Sequence, residues 1–229
     1  MLHFNIFTLF PDMFPGLLGT SVVGRALGHQ WSLDVVPIRE FATDKHQTVD
    51  SPPFGGGPGM VMRPDIIDAA LRSVPSARRG QLIYLSPKGC PLDQDMVKKL
   101  SKSPNLSLLC GRYEGIDERI IDTWDVLEVS IGDFVLSGGE LAAMCLIDAC
   151  VRVLPGVLGN ENSFREESFE DFLLDHPHYT KPKVWNGKQV PDILFSGHHA
   201  DVKSWRLEQS KRLTEKRRPD LWKKYLDNS

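Results

Sequence analysis

Two short apolar runs that each break into a glycine-bearing loop constrain this chain most. Residues 106–110 (LSLLC) lead into Cys110-Gly111-Arg112-Tyr113-Glu114-Gly115. Residues 126–129 (VLEV) lead into Ser130-Ile131-Gly132-Asp133-Phe134-Val135-Leu136-Ser137-Gly138-Gly139-Glu140. Apolar runs this short, bounded by turn residues, read as strands buried on both faces, as parallel sheets require. The second loop is followed by 141–154, an apolar stretch long enough for a helix. A third strand is expected at 81–86, closed by Pro87-Lys88-Gly89. The fold class is therefore α/β with a parallel sheet. Glycines at the carboxyl ends of such strands let backbone approach a ligand, and open α/β sheets bind ligands at that edge. Each loop alone is as readily a plain turn; three at one edge make a composite site. Neither G-x-x-x-x-G-K-[ST] nor G-x-G-x-x-G occurs, which disfavours ATP and NAD and leaves a nucleoside read by backbone groups.

The other elements follow in order. Residues 2–9 and 31–38 read as strands, with a short helix capped by Ser21 running to Leu27 between them. A long polar stretch, 42–60, ends in a glycine run at 55–59, which is either a nest of amides facing a phosphate or base, or a flexible turn. Helices are expected at 64–73, 93–101 and 116–122. Beyond Pro155-Gly156, residues 159–170 are polar and acidic without an apolar stripe, and 160–175 reads as a mobile linker. Residues 176–229 hold a proline-stiffened segment, a helix at 201–217 and a last helix at 219–226. The organisation is thus a ligand-binding domain over 1–159, the linker, and a small helical domain over 176–229.

Charge divides along the same line. Residues 1–175 hold 15 Lys and Arg against 24 Asp and Glu, a balance of −9, whereas 176–229 hold 12 against 6, a balance of +6, with four of the seven histidines. A basic end on an acidic body suggests a polyanion contact, unless it is only a solvated basic helix. Cys90, Cys110, Cys145 and Cys150 lack metal-ligand spacing and read as reduced core residues of a cytoplasmic protein. The apolar start lacks a basic lead, and no run approaches a membrane span, so neither a signal peptide nor a membrane partner is expected.

With these segments in view, the chain resembles the bacterial tRNA (guanine-N1)-methyltransferases that modify the guanosine 3′ of the anticodon. The motifs carrying the resemblance are Phe54-Gly-Gly-Gly-Pro-Gly-Met60, Tyr84-Leu-Ser-Pro87, Leu109 through Arg119, Ser130 through Glu140, Pro155-Gly-Val-Leu-Gly159, and Leu173 through Pro182. They span nearly the whole chain in the family's order. The resemblance implies the SPOUT class: a parallel sheet with a deep trefoil knot, S-adenosyl-L-methionine as methyl donor, and a homodimer with active sites between subunits. A knot runs against the general rule for chain topology and rests on the resemblance alone.

Carried over by motif, the methyl donor is expected among Tyr84, Leu85, Pro87, Gly111, Tyr113, Glu114, Ser130, Ile131, Gly132, Asp133, Phe134, Val135, Leu136, Gly138 and Gly139. Phe134 stands where many members have tyrosine, so one hydroxyl contact is lost. Glu114 is expected to face the sulfonium or ribose; read alone, it is a surface carboxylate at a helix start. Methylating N1 requires a base for its proton and a cation for charge developing on O6. The resemblance implies an aspartate base in the linker, where this chain has Glu167, with Asp175 the competing candidate. It also implies Arg152 as the cation, a residue otherwise read as a routine charge at a helix end. For tRNA, His178, Tyr179 and Lys181 are expected to meet unstacked bases, and Arg206, Arg212, Arg217 and Arg218 to meet phosphates. Without the resemblance, His178 and Tyr179 read equally as a packed linker. A Mg²⁺ requirement is implied too, although the sequence offers no ligand cluster for it. The alternatives are a SPOUT methyltransferase acting on another RNA site and a catalytically silent RNA-binding protein.

Overall fold

The computed structural model describes residues 1–159 and 167–228. The chain divides into two compact units, Met1–Gly159 and Asn160–Ser229. The first part of the expected linker, 160–166, lies outside the described residues.

The first unit is built on a five-stranded parallel sheet of β1 (Leu2–Thr8), β2 (Trp31–Pro37), β5 (Gln81–Pro91), β6 (Asn105–Leu109) and β7 (Leu127–Ser130). Strand order is β2-β1-β6-β5-β7. Two-residue strands β3 (Asp50–Ser51) and β4 (Val61–Met62) form a separate antiparallel pair. Both faces of the main sheet are covered, which is why its strands are apolar runs rather than alternating ones. Phe4, Ile6, Ile83, Leu85, Leu106 and Leu108 face one core with α1 (Ser21–Ala26), α4 (Gln94–Leu100) and α6 (Gly139–Arg152). Phe7, Leu82, Tyr84 and Leu109 face the other with α2 (Pro64–Ser73) and α5 (Glu118–Trp124). Polar groups inside the second layer are paired: Asn5 Nδ2 donates to Arg78 O (2.9 Å) and Ser107 Oγ to Arg79 O (2.7 Å). Both acceptors belong to the short helix α3 (Ser76–Arg79) and answer its unpaired carbonyls.

Several boundaries differ from those expected. Thr20, not Ser21, precedes α1, and its hydroxyl donates back to Leu17 O (2.7 Å) instead of capping the helix. Helix α5 begins two residues late because the Asp117 side chain caps it, accepting from Arg119 N (3.0 Å). Strand β5 does not stop at Ser86: Val129 pairs with both Leu85 and Cys90, and Pro91 pairs with Ser130. The intervening Ser86–Gly89 bulges out and the strand resumes beyond it. The cysteine expectation holds only in part. All four are free thiols, but only Cys110 and Cys150 are buried; Cys90 and Cys145 are exposed. Cys145 lies one turn from Leu141, itself 45% exposed, on the face of α6 turned away from the core.

The second unit carries an antiparallel hairpin, β8 (Val184–Trp185) and β9 (Lys188–Gln189), then α7 (His199–Arg217) and α8 (Pro219–Asp227). Asn186 and Gly187 both have positive φ, 50° and 73°, as a two-residue type I′ turn needs. Thr214, fully buried on α7, donates to Ser210 O (2.7 Å) and accepts from Leu174 N (2.8 Å), which fixes the segment before Asp175 to the helix. Among the described residues no helix is long and apolar enough to cross a membrane.

Candidate functional site

Strands β5, β6 and β7 are parallel neighbours, so the segments leaving them emerge at one edge of the sheet. There they enclose a cavity of about 300 Å³, of the size a nucleoside-bearing ligand needs. The Ser86–Gly89 bulge forms one wall, Gly111–Ile116 a second, and 130–139 a third.

Fourteen of the fifteen residues expected around a methyl donor line this cavity: Tyr84, Leu85, Pro87, Gly111, Tyr113, Glu114, Ser130, Ile131, Gly132, Phe134, Val135, Leu136, Gly138 and Gly139. Asp133, in the same loop, is exposed and off the wall. Residues that the sequence reading passed over also line it, among them Lys88, Arg112, Glu118, Glu128 and Ser137. Arg112, Glu118 and Ser137 lie inside the quoted motifs, so the signal for them was present. Glu128 sits in a strand that reads as scaffold.

The walls are held by identifiable bonds. Ser130 Oγ donates to Gly132 O (3.0 Å) and closes the turn after β7. Tyr84 lies against Gly111 so closely that a Cβ there would sit 2.7 Å from its ring, so only glycine fits. Burial pushes the Tyr84 phenol up to about 12, which keeps it protonated at neutral pH. The glycine run is drawn alongside: Glu114 N donates to Met60 O (2.9 Å), Met62 N to Gly115 O (2.9 Å), and a Cβ at Gly59 would strike the Glu114 side chain at 2.4 Å. Gly55, Gly56 and Gly57 all have positive φ and are exposed, and Phe54 beside them is 100% exposed.

A buried ion pair joins two of the walls. Arg112 Nε lies 2.9 Å from Glu140 Oε2, with Glu140 wholly buried. The approach is off-line for a hydrogen bond, so the pair is held by charge rather than by a directed bond. Thr8 Oγ1 donates to the other carboxylate oxygen (2.7 Å), Arg112 Nη1 donates to Ser137 O (3.1 Å), and the guanidinium lies 4.2 Å above the Phe10 ring. The start of α6, the loop after β6 and the end of β1 are thereby locked together.

Of the expected catalytic residues, Arg152 ends α6 in the first unit, and Glu167 and Asp175 belong to the second. Ser168, next to Glu167, accepts from Asp175 N (2.9 Å), and Phe169 N donates to Leu173 O (2.7 Å), so 168–175 is a closed turn with both carboxylate-bearing residues at its base. The Asp175 carboxylate meets His176 Nδ1 at 2.8 Å and His178 Nε2 at 2.8 Å. Burial works to raise its pKa, but the bonds from His178 and the His176 amide and the two ring charges outweigh it, and the net shift is downward. His176 is held below its usual range, chiefly by burial, with Asp175 opposing.

Among the expected RNA contacts, His178 is 70% exposed, and Tyr179 is half-exposed with its ring 6.4 Å from that of Trp205 on α7. Lys181, Arg206, Arg212 and Arg217 are exposed. Arg212 is paired with Glu208, and Arg218 forms a two-pronged bond with Asp220 at the start of α8. The exposed Trp185 and Lys188 on the hairpin were not anticipated, although Asn186-Gly187 is a hairpin signal.

Asp175, His176 and His178 also bring three potential ligand atoms within 4.8 Å of one another. Two imidazoles and one carboxylate do not fit Mg²⁺, which takes oxygen ligands and keeps its waters.

A parallel sheet with a nucleoside-sized pocket at its carboxyl edge defines an α/β protein of the cofactor-binding kind. Comparison with known proteins narrows this. A sequence model described as tRNA (Guanine-1)-methyltransferase TrmD matches residues 2–224. The tRNA (guanine-N(1)-)-methyltransferase of Rhodospirillum rubrum is 56% identical over 223 residues, covering 96% of this chain and 92% of its own length. That of Brucella ovis is 51% identical over 227 residues, covering 99% and 93%. The chain belongs to the tRNA (guanine-1)-methyltransferase family.

Proposed function

We propose that this chain transfers a methyl group from S-adenosyl-L-methionine to N1 of the guanosine 3′ of the tRNA anticodon. Membership of the family supports the reaction class, and the charge around the cavity carries the choice of donor. Glu114, Glu118 and Glu128 line it against Lys88 and Arg112, and Arg112 already neutralises Glu140. An excess of carboxylate favours a cationic sulfonium and opposes a polyphosphate. Leu85, Ile131 and Leu136 supply an apolar bed for the adenine, and the backbone at 111–115 and 130–139 supplies its hydrogen bonds.

When bound, the sulfonium supplies the methyl group, and this chain's residues deal with the acceptor. The proton on guanine N1 must leave as the N–C bond forms, and Glu167 takes it. Asp175 is held as an anion by its two imidazole partners, which lower its pKa; its role is to orient His176 and His178. Arg152 offsets negative charge on O6. The second unit takes the anticodon stem-loop through His178, Tyr179, Lys181, Arg206, Arg212 and Arg217. Arg218 serves the helix junction instead, bound to Asp220 through two nitrogens where Arg212 makes a single bond to Glu208. The protein works as a cytoplasmic homodimer of the SPOUT type, its sheet tied in a deep trefoil knot. The exposed Leu141 and Cys145 on a helix otherwise buried in the core favour a covered surface there.

Methyl transfer from labelled donor to tRNA transcripts tests this. Label is expected only where the target and the preceding nucleotide are both G. Label that ignores the target base would move the reaction elsewhere on the RNA. Glu167→Ala is expected to abolish turnover while tRNA still binds; loss of turnover in Asp175→Ala alone would overturn the assignment of the base.

A further inference from the structure

The cluster at the base of the 168–175 turn has a chemistry that methyl transfer does not use. Asp175, His176 and His178 lie within four consecutive positions, and their ligand atoms are within 4.8 Å of one another. We propose that Asp175, His176 and His178 form a binding site for one divalent transition-metal ion of the zinc or cobalt type. Two imidazoles with a carboxylate are a recurrent donor set for such ions, and they leave a position open for water or an anion.

Geometry supports a site that needs little rearrangement. Both imidazole nitrogens already point at one carboxylate, His176 Nδ1 at one oxygen and His178 Nε2 at the other, each 2.8 Å away. Ligand atoms around a tetrahedral zinc stand about 3.3 Å apart for bonds of about 2.0 Å, so each contact opens by roughly half an ångström. The imidazoles bind as neutral rings, with the proton of each carried on its other nitrogen. The backbone is fixed before the metal arrives: Ser168 Oγ accepts from Asp175 N, Thr214 Oγ1 accepts from Leu174 N, and Pro177 stiffens the span between the two histidines. Exposure rises from His176, with 9% of its side chain exposed, through Asp175 at 26% to His178 at 70%, which gives the ion a way in. The positive charge of Arg206 bears on His176. With only one carboxylate, the occupied site stays cationic and favours an anion in its open position.

Cobalt titration of the chelator-treated full-length protein tests the proposal. The expected result is a visible ligand-field band that saturates at one Co²⁺ per chain, is displaced by Zn²⁺ and is unaffected by millimolar Mg²⁺. Since loss of even an outer partner weakens metal sites about 10–100-fold, His178→Ala and Asp175→Asn are each expected to weaken binding at least about 100-fold. His178 is largely exposed, so its removal leaves the fold intact. A His198→Ala/His199→Ala control removes the chain's other neighbouring histidine pair and is expected to bind as the parent does. Absence of the band, a band that survives His178→Ala, or one lost in the control would overturn the assignment.

Discussion

Glu140 does not line the cavity, yet it ties its walls together. Its carboxylate is fully buried and is compensated by Arg112 and by the Thr8 hydroxyl. Breaking a buried pair leaves one charge uncompensated, which costs about 3–5 kcal/mol, whereas removing both charges costs far less. Arg112→Met is therefore expected to lower stability in urea by about 3–5 kcal/mol, and adding Glu140→Gln to recover at least half of that loss. If the second change only adds to the first, the two side chains do not act as a pair. This coupling was hidden in the sequence. Arg112 and Glu140 are separated by a helix and a strand, and no periodicity links them, so each read as an ordinary member of its own loop.

At the scale of elements, legibility followed the physics of each segment. The parallel strands were readable because two-sided burial demands uninterrupted apolar runs, and glycine marked where each run ended. Strand β5 was cut short because Pro87-Lys88-Gly89 is a stop signal locally, and only pairing with Val129 and Ser130 lets the strand resume. The hairpin of the second unit carried its signal in Asn186-Gly187 and was passed over, because its strands are two residues long and exposed. The hold of α7 on the turn bearing the candidate base was not legible at all, since it rests on one hydroxyl. Thr214→Val removes the acceptor of Leu174 N and leaves a part-buried amide unpaired, at a cost of about 1 kcal/mol. Faster hydrogen exchange at the Leu174 amide is the expected sign; an unchanged rate would mean that the segment is held by other contacts.

For the molecule as a whole, charge is sorted along the chain, with the acidic excess before residue 176 and the basic excess after it. Phosphate contacts made by the second unit predict tRNA affinity that falls steeply with salt. Arg217→Ala is expected to flatten the log–log slope by about 1, while Arg218→Ala leaves the slope alone, its guanidinium being occupied by Asp220. Equal flattening by both variants would discard the distinction between them. The sheet order has a further consequence, for how the protein comes into being. Strand β1 leaves the ribosome well before β6, one of its two neighbours, and Asn5 waits for Ser107, 102 positions later. Until then β1 of a nascent chain has β2 on one side and an open edge on the other. Long-range parallel pairing of this kind is slow to form and prone to mispairing. Synthesis, more than thermodynamics, is the stage at which this architecture is most exposed to error.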